Sequence, residues 1–392
     1  MTLAVLDRAG AGAAPVRPDR VALEKALAAL PRSSDPRLVV LVPAHNEAAS
    51  IGLALDSLAA QSRRADLVVV VTDNCTDETA EVVGTRGGAL VVPTSGNRDK
   101  KAGALNQVLA RVLPRLRDTD AVLVMDADSA LDAEFVRAAL GRLGGPVPKG
   151  RPGQVIGGVG GTFRGGRGGG FVGMLQRNEY ARYARDVRRL KGKVLVLTGT
   201  AAVFQVGVLR AVVAARAAGR LPGGMAQVYD TNVLTEDNEL TLALLHLGYG
   251  ILSPRECLLE TEVMTTWREL WAQRLRWKRG ALENLLDYGL TSVTWRYWGR
   301  QVMTHIGVLV STAYLLTLLW SAAMDRSIQL HPIWLAVTVI FMAERVVTVR
   351  ERGKVQMLLA ATLVVEMSFD FFLQAVQARA LWDTVTKSEK NW

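Results

Sequence analysis

Cysteine is nearly absent from this 392-residue chain: Cys75 and Cys257 are the only two, and neither sits in a CxxC or Cys/His cluster. That excludes a zinc site of the usual spacing and a disulfide framework. Reduced thiols suit a domain that faces the cytosol. The first twenty residues lack the continuous apolar core of a secretory leader, so membrane insertion is expected to be directed by later segments. Glycine is dense between residues 157 and 173, yet the spacing forms no dinucleotide fingerprint. With Arg164 and Arg167, that stretch reads as a flexible loop or edge hairpin, or else as a lid facing an acceptor. Acidic residues are outnumbered, 37 against 47 Lys and Arg, for a net charge of +10. A basic balance can mean nucleic acid. Here it stands beside apolar runs, which points to an anionic lipid surface and a pyrophosphate-bearing ligand, and no nucleic-acid partner is expected.

Hydrophobic residues make up 49% of the chain, and the excess lies beyond residue 300. Upstream, residues 1–37 read as a loose tail with one short helix at 21–30. β-Branched runs at 38–43, 67–72, 89–93 and 121–125 read as buried strands. Helical patterns fall between them, and 194–204 looks strand-like. Strands alternating with helices at this spacing predict a parallel sheet with crossover helices. Ligands collect beyond the carboxyl ends of such strands, where the polar clusters of this chain fall.

Between 266 and 300, Trp267, Trp271, Trp277, Trp295 and Trp298 interleave with Arg274, Arg276, Lys278, Arg279 and Arg300. That pattern fits amphipathic helices at a membrane–water interface. Apolar runs follow at 303–324, 330–349 and 355–378, giving two or three expected spans. The basic loop Arg350, Arg352 and Lys354 belongs on the cytosolic side, and the hairpin 325–331 outside. Glu366 and Asp370 share one helix face. Arg345 is their candidate partner, in a structural ion pair or a pore lining.

Two carboxylates, Asp126 and Asp128, follow the run 121–125. At a sheet's carboxyl edge they can hold a divalent ion that bridges a diphosphate. A turn capping the next stretch is the competing reading. Asp73 stands at the tip of the run 67–72, where it could accept hydrogen bonds from a nucleobase or ribose. Lys101 opens a helix, a poor place for a cation unless an anion binds there. Asp237 caps an apolar helix or serves as a general base. Arg276 could meet a leaving diphosphate and Trp277 a sugar ring.

Taken in order, Val42-Pro43-Ala44-His45-Asn46-Glu47, residues 73–79, Lys101 to Asn106, Asp126-Ala127-Asp128, Thr198-Gly199-Thr200, Thr235-Glu236-Asp237 and Gln273-x-x-Arg276-Trp277 closely resemble the family 2 inverting glycosyltransferases. Within that family the similarity is to membrane synthases of hyaluronan, chitin, cellulose and poly-N-acetylglucosamine. The resemblance implies an α/β GT-A fold, a Rossmann-like mixed sheet with helices on both faces. It implies that Pro43, Ala44, Glu47, Asp73, Lys101, Asp126, Gln273 and Arg276 bind the nucleotide sugar. Asp128 would ligate Mg²⁺ or Mn²⁺, Asp237 would be the catalytic base, and Thr200, Glu236 and Trp277 would face the acceptor. The implied reaction moves a hexose or N-acetylhexosamine from a UDP-sugar to a growing β-linked polysaccharide. A single addition to a lipid-linked acceptor is the alternative. The expected organisation is a tail (1–37), a catalytic domain (38–265), interfacial helices (266–300), transmembrane helices (301–378) and a short tail (379–392). The protein is expected in the cell (inner) membrane, multi-pass, with its catalytic domain cytosolic. Family members usually carry N-terminal spans and often an Arg where Gln205 stands, and the segment 211–230 is longer than theirs.

Overall fold

A computed structural model describes residues 20–32, 35–324 and 332–389. The expected tail before residue 20 and the hairpin 325–331 lie outside the described residues. Helix α1 (Arg20–Ala28) is followed by β1 (Leu38–Ala44), α2 (Ile51–Ala59), β2 (Leu67–Thr72), α3 (Thr79–Arg86), β3 (Leu90–Pro93), α4 (Lys100–Val112) and β4 (Ala121–Met125). Next come β5 (Ala130–Leu131), α5 (Phe135–Leu140), β6 (Ile156–Gly160), β7 (Thr162–Gly165), α6 (Gly170–Arg189), β8 (Ala201–Gln205) and α7 (Val206–Ala217). The chain continues through α8 (Glu236–His246), β9 (Gly250–Leu252), β10 (Leu258–Thr261) and α9 (Trp267–Tyr288). Four more helices close it: α10 (Trp295–Met324), α11 (Pro332–Val349), α12 (Lys354–Ala361) and α13 (Leu363–Val385).

The four runs expected as strands are strands, and they are neighbours in a seven-stranded sheet ordered β3-β2-β1-β4-β8-β6-β9. β1, β2, β3 and β4 pair in parallel, whereas β8 runs antiparallel to β4 and to β6. The sheet is therefore mixed. All seven residues of β1 are buried, because helices cover both faces. Val39 and Leu41 face the core shared with α4, α7 and α8, and Val40 and Val42 face the one shared with α2 and α5. Pro43 fits this central strand because pairing with β4 ends at Leu41, so no ladder bond from its missing N–H is lost there.

The glycine-dense stretch departs from the expected loop or hairpin. Residues 156–160 form a fully buried strand between β8 and β9. Side chains from neighbouring elements pack directly on its backbone: a Cβ on Gly157 would lie 2.9 Å from Tyr249 Cβ, and one on Gly158 2.6 Å from Leu197 Cδ1. The run 194–204 is a strand only from Ala201; the loop before it serves the site described below. A second sheet, β5-β10-β7, stands beside the first.

Helix α9 begins with a capping box of Thr266 and Glu269, which satisfies its first backbone donors. It lies against α8 so closely that a Cβ on Gly280 would meet Thr235 Oγ1 at 2.4 Å. On its other side Trp267 and Trp271 pack on Phe372 of α13, with ring centroids 5.0 and 5.6 Å apart. Arg345 pairs with both Glu366 and Asp370 at 2.5 Å, the structural ion pair that their spacing allowed. Arg182 of α6 joins at 2.6 Å from Glu366, tying the last helices to the sheet domain.

The apolar runs beyond residue 300 are helical. Among the described residues, however, no single helix is long and apolar enough to cross a membrane. The expected two or three separate crossings are therefore not found there. One pair, Lys354–Ala361 with Val364–Val385, bent by 74°, meets the length and composition together.

Gly158→Val is expected to overpack β6 and destabilise the domain by about 1–3 kcal/mol, read as a lower midpoint of urea unfolding. An unchanged midpoint would mean that Leu197 does not press on this strand.

Candidate active site

The carboxyl ends of β1, β2 and β4 bring most of the expected residues to one rim. At the tip of β1, Asn46 adopts φ +58°, a conformation Asn tolerates. Its side-chain oxygen accepts from the Thr76 amide at 2.8 Å. This turn places Glu47, whose amide donates to Thr79 Oγ1 at 2.8 Å. Pro43 and Ala44 form the strand end beneath it, with the Ala44 carbonyl accepting from the Asp73 amide at 2.8 Å. Asp73 is only 6% exposed. Its Oδ1 accepts from Asn74 at 3.0 Å and from Thr94 and Asn97 at 2.8 Å each. Those partners orient the carboxylate, and the sequence reading missed Thr94 and Asn97.

Lys101 is the hub of the site. Its Nζ lies 2.5 Å from Asp126 Oδ1, 3.2 Å from Glu236 Oε1 and 3.3 Å from the Gly199 carbonyl. One ammonium thus joins the start of α4, the end of β4, the loop before β8 and the start of α8. Burial opposes its charge, but Asp126 and Glu236 outweigh it and raise the pKa above the usual lysine value. Burial likewise disfavours the Glu236 carboxylate, yet Lys101, its own backbone amide and Arg276 hold its pKa below the usual range.

The Gly199 peptide works in both directions. Its carbonyl faces Lys101, and its N–H donates to Asp237 Oδ2 at 2.8 Å. A Cβ there would stand 3.2 Å from that same oxygen and 3.3 Å from Lys101 Nζ. Asp237 Oδ1 takes the Asn238 amide at 2.7 Å. Burial first, and then the Glu236 charge, push Asp237 up to about 6. Thr200 contributes its carbonyl to the Asp126 amide at 3.0 Å, and its hydroxyl lies 2.9 Å from that of Thr198.

Asp128 lies deeper. Ser129 Oγ donates to it at 3.2 Å and Thr261 Oγ1 at 3.5 Å. Burial, then Asp126 and then Glu47 raise it to about 7. Burial also raises Glu47, as do Glu262, Asp126 and Asp77, against a hydrogen bond from Ser50. Among the described residues, no three His, Cys, Asp or Glu side chains form a complete metal cage. A Mg²⁺-type site does not need one, because one or two carboxylates plus substrate phosphates suffice. Asp128 and Asp126 fit that requirement, and a divalent ion would relieve their mutual repulsion.

The α9 motif reaches this rim through charge. Arg276 is the residue whose positive charge acts on Glu236. Gln273 instead accepts from Arg274 at 2.5 Å. The Arg274 guanidinium, buried to 1% exposure, stacks 4.3 Å from the Trp277 ring centroid and bonds Glu179 at 2.8 Å. One face of Trp277 is therefore already covered. Arg274 and Glu179 carried no signal separable from the surrounding basic residues.

Residues 36–280 match the family described as "Glycosyltransferase like family 2". The poly-beta-1,6-N-acetyl-D-glucosamine synthase of Staphylococcus aureus (strain COL) is 25% identical over 267 residues, covering 66% of this chain and 58% of that protein. The synthase of the same name from Staphylococcus epidermidis is 24% identical over 302 residues, covering 70% and 66%. The chain thus spans less than two thirds of the length of these relatives. A solved mannosyltransferase from Pyrobaculum calidifontis, in complex with GDP-Man and Mn²⁺, aligns over 94% of this chain and 95% of that one, with TM-score 0.53 and 20% identity. That likeness speaks to the fold alone, which is GT-A.

Asp128 yields a stability prediction with a definite sign. Its pKa rises from 3.8 to about 7 on folding, so the folded state binds the extra proton and the group costs stability increasingly as pH rises between those values. In chelator, Asp128→Asn is expected to stabilise the protein by roughly 1–3 kcal/mol at pH 8 and far less at pH 5. Denaturant melts at the two pH values measure this, and a variant less stable at pH 8 would refute it.

Proposed function

The chain belongs to the glycosyltransferase-like family 2, and on that premise we propose that it transfers a hexose or N-acetylhexosamine from a UDP-sugar to an acceptor hydroxyl with inversion, using Asp237 as general base. The observation that carries this reading is the juxtaposition of Asp237, raised to about 6, with the Lys101–Asp126–Glu236 cluster through the Gly199 peptide.

In this reading Pro43, Ala44, Glu47 and Asp73 surround the nucleotide, while Lys101, Asp126, Gln273 and Arg276 bind its diphosphate side. Thr200, Glu236 and Trp277 face the acceptor. Asp128, aided by Asp126, would hold Mg²⁺ or Mn²⁺, which when bound neutralises charge that gathers on the leaving diphosphate. The acceptor oxygen forms its bond to the anomeric carbon as the bond from that carbon to the diphosphate oxygen breaks. The electron pair leaves with the diphosphate, and the acceptor proton passes to Asp237. Attack and departure on opposite faces give a β-linked product from an α-linked donor. A carboxylate near 6 is ionised at neutral pH yet basic enough to take a proton in the transition state. Gly199 and Asn238 keep it aimed.

The relatives' name supports an N-acetylhexosamine as the transferred sugar and a growing β-linked glycan as the acceptor. We assign catalysis to residues 38–265 and the diphosphate-facing motif to 266–300. Apolar side chains exposed along α10, including Leu309, Val310 and Trp320, support attachment of the C-terminal helices to the cell membrane, with the catalytic domain on its cytosolic side.

Asp237→Asn is expected to lower kcat by about 10²–10⁴ with little change in the KM for the donor. In the parent enzyme kcat should rise with pH through about 6, because protonated Asp237 cannot accept the proton. The assay is nucleoside diphosphate release from UDP-N-acetylglucosamine, UDP-glucose and GDP-mannose, each with Mn²⁺ and with EDTA. Undiminished turnover in Asp237→Asn would remove the base, full activity in EDTA would remove the metal, and use of GDP-mannose alone would remove the uridine donor. Product length by mass spectrometry separates chain growth from single addition.

A further inference from the structure

A cavity much larger than the crevice at this rim lies elsewhere among the described residues. The crevice beside Lys101 and Asp237 holds about 10 Å³, whereas a cleft of about 1190 Å³ opens behind the three-stranded sheet. Strand alternation separates the two. On β10, Thr261 turns its hydroxyl toward Asp128 and Leu259 enters the core, while Leu258 and Glu260 line the cleft. On β7, Phe163 meets Tyr180 edge-on and stacks on Tyr183, while Thr162 and Arg164 line the cleft. The opposite wall comes from α6 and from the Arg350–Arg352 turn after α11.

We propose that this cleft is a second binding site, for a phosphate-bearing anion larger than inorganic phosphate. Six cationic side chains face it against three carboxylates. Arg255 is matched by Glu256, and Arg164 by Asp132. Arg142, Arg188, Lys191 and Arg352 line it too, and none of these four has an ion-pair partner among the described residues. Two residues of its lining carry hydroxyls buried beneath the cleft surface. Thr162 Oγ1 and Ser253 Oγ, on residues 2% and 1% exposed, are buried with no hydrogen-bond partner. Buried polar atoms are rarely left so, because the desolvation is uncompensated. Guanidinium forks match phosphate oxygens. Burial, and then the charges of Arg164 and Arg177, lower the Arg352 pKa; an anion seated among these groups relieves that crowding. The volume lies somewhat above the range of about 300–1000 Å³ usual for small-ligand pockets, so the cleft has room for a ligand larger than inorganic phosphate.

A phosphate of this kind can come from a soluble molecule or from a lipid headgroup, since the cleft adjoins the turn that leads into α12. The full chain is tested in two arms. Inorganic pyrophosphate is titrated by calorimetry, and flotation is measured with phosphatidylcholine vesicles with and without phosphatidylglycerol. The cleft variant is Arg188→Glu/Lys191→Glu, two exposed positions. The control is Arg189→Glu/Lys193→Glu, which makes the same charge change outside the lining. The cleft variant should weaken binding at least about tenfold relative to the parent, since each charge-assisted bond contributes about 1.5–3 kcal/mol. The control should change it little. Loss confined to pyrophosphate identifies a soluble ligand, and loss confined to anionic vesicles a headgroup. Equal binding by parent and cleft variant in both arms, or equal loss in the control, overturns the proposal. Should the double reversal fail to fold, Arg142→Gln is the milder variant, expected to weaken binding roughly threefold.

Discussion

The site depends on one half-buried cation. Lys101 stands in the first turn of α4, where the helix dipole disfavours positive charge. The placement is stable because Asp126 and Glu236 approach within 2.5 and 3.2 Å. Those carboxylates arrive from β4 and α8, segments far apart in the chain, so one ammonium fixes how the sheet end and the base-bearing helix meet. The Gly199 peptide completes the bridge, facing Lys101 with its carbonyl and Asp237 with its N–H. Without the cation three carboxylates would converge in a partly buried rim, and their repulsion would drive them to take up protons.

Packing holds the geometry from behind. Asn284 of α9 donates to the Thr235 carbonyl and to Asn238, at 3.1 and 3.0 Å, across the start of α8. Glu239, one turn further along, is paired with Arg216 at 2.5 Å, both 1% exposed, and accepts from Tyr288 at 2.6 Å. Removing one partner of such a buried pair costs about 3–5 kcal/mol. The long segment 211–230 is thereby part of the support for α8, since Arg216 belongs to it. Asn106 of α4 bonds the Tyr229 backbone at 2.8 and 3.0 Å, which ties the same segment to the helix that carries Lys101.

Much of this was legible in the sequence. Strands β1, β2 and β4 are β-branched runs with no competing period, and the carboxylates sit at their ends because polar residues cannot continue a buried strand. Strand β6 was not legible, because Gly157 and Gly158 have no side chain to show a period; only the packing of Tyr249 and Leu197 onto their backbone explains them. Pairing partners were equally hidden. Nothing local marks Glu179 as the partner of Arg274, or Glu236 as a ligand of Lys101, since both contacts join distant segments. The apolar runs past residue 300 predicted helices correctly. Composition alone did not separate crossing from packing, and Trp267 and Trp271 pack on Phe372.

The central claim is that the Lys101 charge helps keep Asp237 ionised against burial and the Glu236 charge. The pH dependence of kcat in Lys101→Gln, compared with the parent enzyme, tests it most directly. The Lys101 charge lowers the Asp237 pKa, so its loss should move the acid limb of the residual activity from about 6 to higher pH. An acid limb at the same pH in both proteins would contradict the account.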